Sequence, residues 1–147
     1  MLNNQLAPST WQPFKGHGVL RISSLNVCAD ESRDGRVLKV CTVNVGTMVG
    51  RGREMVDMLA RRNIDICCVQ EVRYKGDSAR NFGVNEEKYK LWYSGGRQGL
   101  HGVGIMVRQD LVDNVLKIER FSDRLIKIRL VLGKQVFNIF SLYAPQV

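Results

Sequence analysis

No two of the four cysteines, Cys28, Cys41, Cys67 and Cys68, stand in Cys-x-x-Cys spacing. That absence excludes the common structural-zinc and dithiol redox motifs, which need the spacing to bring two sulfurs together. The cysteines read instead as small buried hydrophobes of a protein in a reducing compartment. Residues 1–30 contain no basic stretch followed by a long apolar run, and no window approaches about 18 consecutive apolar residues. Secretion and membrane spanning are disfavoured, and an intracellular location, nuclear or cytoplasmic, is expected. Acid and base groups are sparse, with two histidines and 14 acids against 22 Lys and Arg. His17, between Gly16 and Gly18, reads as solvated. No basic tail accounts for the net charge of +8. The excess is spread along the chain and tilts the partner towards a polyanion, nucleic acid or a phosphate ester.

What is present is a globular composition of 147 residues, 44% hydrophobic and 24% charged, enough for a domain with a real core. Residues 1–36 mix Pro8, Pro13, Gly16, Gly18, Ser23, Ser24 and Gly35 with scattered hydrophobes, and no period lasts. They are expected to be a poorly ordered leader, with the domain running over 37–147. Val37 to Val43 reads as a buried strand from its β-branched content. Gly46, Gly50 and Gly52 then give a turn. Arg53 to Arg62 puts Met55, Val56, Met58 and Leu59 on one face, which predicts an amphipathic helix stopped at Asn63. Ile64 to Val69 is a second strand, expected beside the first. Residues 73–87 read as a long basic loop. Tyr89–Tyr93, Gly102–Val107, Val115–Phe121, Leu125–Leu132 and Val136–Tyr143 follow as strands of antiparallel hairpins. The fold class is therefore α+β with two sheets.

Two apolar runs deliver a polar residue where each ends. Val40 to Val43 leads to Asn44, and Ile66 to Gln70 leads to Glu71. Strand ends hold such groups rigidly at the rim of a buried sheet. A carboxylate there suits a hard cation such as Mg²⁺, which takes few protein ligands and keeps several waters. Each residue also has an ordinary reading: Glu71 as a surface acid, Asn44 as a turn residue bonding its own backbone, Tyr143 as a strand-end aromatic.

Taken together, Thr42-Val43-Asn44-Val45-Gly46, Val69-Gln70-Glu71, Gly102-Val103-Gly104-Ile105 and Ser141-Leu142-Tyr143-Ala144-Pro145 resemble the endonuclease/exonuclease/phosphatase family of DNase I-like phosphoesterases. Gly50-Arg51-Gly52-Arg53-Glu54 and Ser122-Asp123-Arg124 bring the chain closer to one branch. That branch comprises the endonuclease domains of non-LTR retrotransposon open reading frames and of the craniofacial development protein 2 group. The similarity runs from about Val37 to Val147. It implies a DNase I-like two-sheet β-sandwich flanked by helices and truncated after about half the domain. It also implies Mg²⁺ held at Glu71, Asn44 orienting metal-bound water or phosphate, and Tyr143 against the scissile phosphate. Arg73, Lys75 and Arg80 would contact the backbone of nucleic acid, DNA being the expected partner.

The departures bear on activity. Gly46 stands where some nucleases of the family carry an acid. The family completes its site with an Asp-x-Asn pair and an Asp-His pair downstream of the tyrosine, and neither follows Tyr143 here. His101, before a strand, reads as a loop residue. The expected function is a fragment of a Mg²⁺-dependent phosphodiesterase acting on nucleic acid, inactive as it stands. Alternatives are a non-catalytic nucleic-acid-binding fragment and a phosphatase of the same fold. A sheet lacking its partner would leave an apolar face and open edges.

Overall fold

The computed structural model describes the strand backbone of residues 5–6, 10–13 and 19–28 and all of residues 37–144. Strands Gln5–Leu6 (β1), Thr10–Pro13 (β2) and Val19–Cys28 (β3) lie where the sequence offered no lasting period. β3 pairs antiparallel with Val37–Asn44 (β4), from Arg21 opposite Asn44 to Cys28 opposite Val37. A ladder of backbone hydrogen bonds needs no side-chain period to form. The remainder of the expected leader, His17 included, and Pro145 lie outside the described residues.

The region from β4 onward follows its residue pattern closely. A helix, Gly52–Arg61 (α1), buries Met55, Val56, Met58 and Leu59, the four residues placed on its apolar face. It stops as its sequence requires. Asn63 takes a φ of 53°, its N–H reaches the Ala60 carbonyl, and the Ile64 N–H reaches that of Leu59. This is the paired hydrogen bonding of a left-handed helix stop. The crossover returns the chain into Ile66–Gln70 (β5), which runs parallel to β4 with Val40 opposite Ile66 and Asn44 opposite Gln70. All five β5 residues are buried, because β5 has neighbours on both edges and layers on both faces.

The expected basic loop over 73–87 is corrected by the structure. It is a loop only as far as Gly76, after which Asp77–Val84 (β6) pairs with Glu87–Ser94 (β7) through a two-residue turn at Asn85-Glu86. β6 is an edge strand with mostly exposed side chains, so it carries no alternation to read. Val103–Arg108 (β8) then inserts between β7 and β5, completing the sheet order β1-β3-β4-β5-β8-β7-β6, with β2 also on β3. A 3₁₀ turn, Gln109–Asn114, leads into Val115–Ser122 (β9), Leu125–Leu132 (β10) and Gln135–Leu142 (β11), a separate antiparallel sheet in the order β11-β10-β9.

Three layers result. On one face of the large sheet, α1 packs through Met55, Val56 and Leu59 onto Val43, Val69, Tyr89 and Leu91. On the other face, Ile126, Ile128, Leu130 and Ile139 of the small sheet pack onto Ile66, Val103, Ile105 and Val107. Mixed α+β structure with two sheets is thus observed. At the end where β5 begins, the buried Asp65 accepts from the Lys39 N–H at 2.8 Å and pairs with Arg108 at 2.6 Å. This satisfies a carboxylate that would otherwise be costly to bury. The opposite end, where β4, β5 and β11 all finish, is left for the polar residues.

Candidate functional site

The parallel register of β4 and β5 brings Asn44 level with Gln70, so Asn44 and Glu71 leave the sheet side by side. β11 reaches the same rim from the second sheet. A buried polar set seats it there. Gln70 Nε2 donates to Thr42 Oγ1 at 2.9 Å and to Ser141 Oγ at 3.4 Å, and the Ser141 hydroxyl donates to the Val69 carbonyl at 3.1 Å. Polar atoms buried in this way fix register, since slipping β11 by one residue would leave them unpaired. Two residues beyond Ser141, Tyr143 donates its hydroxyl to Glu71 Oε1 at 2.8 Å.

Glu71 is therefore the hub. Asn44 Nδ2 donates to the same Oε1 at 3.4 Å, and Arg73 sits 3.5 Å from Oε2. Asn44 also behaves as a turn residue, its Oδ1 accepting the Gly46 N–H at 3.1 Å. Both readings of Asn44 hold at once, because the amide has two ends. The hydrogen bond to Glu71, with burial second, raises the Tyr143 pKa above its ordinary value, keeping the phenol a proton donor. Glu71 itself has a φ of 59°, Arg73 of 57° and His101 of 60°. Left-handed backbone at three non-glycine residues is strain, which clusters at working sites.

The strained residues belong to two loops that are zipped together. The Val72 N–H donates to the Gly102 carbonyl at 3.2 Å and the Arg73 N–H to that of His101 at 2.9 Å. The pairing carries His101, an exposed loop residue as expected, to 6.0 Å from the Tyr143 ring, centroid to centroid. Arg124, in the β9–β10 turn, brings its guanidinium carbon to 5.4 Å from the same ring, and its carbonyl accepts the Tyr143 N–H at 2.9 Å. Sequence reasoning did not place Arg124 or His101 here; only the packing of the second sheet and the loop pairing reveal them.

Of the three basic residues proposed to meet nucleic acid, only Arg73 touches Glu71. Lys75 is exposed in the same loop. Arg80 is opposite Leu91 in the β6–β7 ladder, hence on the helix face of the sheet, and its guanidinium stacks 4.1 Å from the Tyr74 ring. Among the described residues no hydrogen bond or ion pair ties Arg80 to Glu71.

For a divalent cation, the donor set is one carboxylate and one amide. No three His, Cys, Asp or Glu side chains among the described residues are grouped to hold a metal. Mg²⁺ is satisfied by one or two carboxylates plus water and phosphate, so Glu71 fits it once the half-exposed Arg73 yields Oε2. No helix among the described residues is long and apolar enough to cross a membrane. Neither a protein-family model nor a curated protein matches the chain.

Proposed function

We propose that the chain carries part of a phosphodiester-handling site of the endonuclease/exonuclease/phosphatase kind, retroelement-derived and facing nucleic acid. The observation that supports it most is the convergence of Tyr143, Asn44 and Arg73 on the one carboxylate of Glu71 from three separate segments. In this reading Glu71 is the Mg²⁺ ligand, and the cation, when bound, neutralises charge developing on the phosphoryl oxygens. Tyr143 and Asn44 position the phosphate. Arg73 and Lys75 meet the flanking backbone.

Turnover needs more than this. Hydrolysis calls for a base to activate water and further charge stabilisation, and the described residues supply one carboxylate at the site. The reading is therefore a binding half-site that does not cleave by itself. The experiment is a Mn²⁺ titration of isotopically labelled protein. Resonances of Asn44, Glu71 and Tyr143 should broaden first, with affinity no tighter than roughly millimolar, and Glu71→Gln should abolish the effect. Plasmid nicking with Mg²⁺ should stay at background. Broadening centred elsewhere would remove the metal assignment. Nicking lost in Glu71→Ala would show that a described group acts as the base, with His101 the first to test.

A further inference from the structure

Arg124 differs from Arg73, the other guanidinium at the site, in having no ion partner among the described residues. Arg73 is paired with Glu71. Among the described residues the Arg124 side chain is in no ion pair, and its Nη1 is buried with no hydrogen-bond partner. A charged N–H left buried without a partner is costly, so a fold rarely carries one without use. The backbone holds the residue firmly meanwhile. Its N–H donates to Ser122 Oγ at 3.1 Å, and its carbonyl receives the Tyr143 N–H at 2.9 Å. The arginine as a whole is only partly buried, and its contact with the Tyr143 ring is loose at 5.4 Å. The guanidinium can therefore turn towards an incoming oxyanion with little to lose.

We propose that Arg124 is a phosphate-binding residue, its forked guanidinium taking two non-bridging oxygens of the nucleic-acid phosphodiester that Tyr143 faces. The inference rests on the site reading above and adds to it a residue from the second sheet. A phosphodiester suits the position because a planar guanidinium matches two phosphate oxygens at once. Its surroundings suit it too, since Arg73 and Lys75 line the paired loop with charges that follow a backbone rather than one isolated anion.

The test is fluorescence anisotropy of a labelled 20-base-pair DNA duplex with the full chain in EDTA, across a range of salt. Arg124→Gln should weaken binding about tenfold or more and lower the slope of log affinity against log salt by about 0.9. Arg124→Lys should recover little, because it keeps the charge and loses the fork. Lys134→Gln, in the turn at the far end of the β10–β11 hairpin, should change affinity less than threefold. Glu71→Gln should strengthen binding by removing a negative charge beside the phosphate. Equal effects of Arg124→Gln and Lys134→Gln would overturn the assignment. If Arg124→Gln fails to fold, Arg124→Lys decides, and affinity within twofold of wild type would refute the forked contact. Binding that responds to Glu71→Gln and Tyr143→Phe but not to either Arg124 variant would sink this inference alone. No binding by the wild-type chain would sink the site reading with it.

Discussion

Cys67 and Cys68 show how the residues leading to Glu71 trade reactivity for rigidity. Both are buried on the central strand and both remain free thiols. Burial first, then the neighbouring Cys41, pushes the Cys68 thiol from 9.0 up to about 12, and burial raises Cys67 as well. A thiol is a nucleophile only as its thiolate, so both should resist alkylation by iodoacetamide at pH 8 until the chain is unfolded. Mass spectrometry of the labelled peptides checks this, and rapid native labelling of either would show that the strand opens. The same shift predicts the response to alkali. Above pH 9 an unfolded chain ionises these thiols while the folded chain keeps them protonated, so alkali favours unfolding. The Cys68 contribution is full below pH 9 and lost as pH rises from 9 towards 12, at about 1.4 kcal/mol per pH unit, and Cys67 acts in the same direction. Denaturant midpoints should be level from pH 7 to 8.5 and fall beyond; a flat profile to pH 11 would mean that the thiols are solvated.

At the scale of elements, the loops that close over Glu71 depend on glycines more than on side chains. Gly95, after β7, donates its N–H to the Gly76 carbonyl at 2.8 Å, and a Cβ on Gly95 would collide with the Tyr74 carbonyl. The obstacle is backbone and cannot rotate away. Gly95→Ala should therefore destabilise the protein by roughly 2 kcal/mol or more, because loop 71–76 must move. A melting temperature equal to wild type would show that the loops are not packed as described. Such contacts explain which elements were legible. β5 and β10 announce themselves through continuous or alternating apolar residues, and α1 through its apolar face and Asn63. β6 does not: only Ala79 and Phe82 in it turn partly inward, and its partner lies beyond a turn whose signal is Asn85 alone. β3 is likewise placed by its ladder to β4 rather than by a period.

On the scale of the whole molecule, the candidate site was legible where it depended on strand ends and on a resemblance, as for Asn44, Glu71 and Tyr143. It was not legible where two sheets must dock before residues meet, as for Arg124 against Tyr143. The same docking leaves one face of the small sheet bare. β11 is an edge strand with Val136 44%, Phe140 52% and Leu142 61% exposed, and they alternate with inward-facing Phe137, Ile139 and Ser141. An unpaired edge bearing exposed apolar side chains is a template for association with another strand, and a charge of +8 opposes this only at long range. The chain should therefore self-associate at micromolar concentration, and more readily as salt screens its charge. Phe140→Lys with Leu142→Glu, both on the outer face and clear of the core, should reduce association measured by sedimentation velocity. They should also sharpen thermal unfolding, since less of the chain would be lost to aggregates. Monomeric behaviour of the wild type at high salt, or association unchanged in the double variant, would show that β11 is not the adhesive edge.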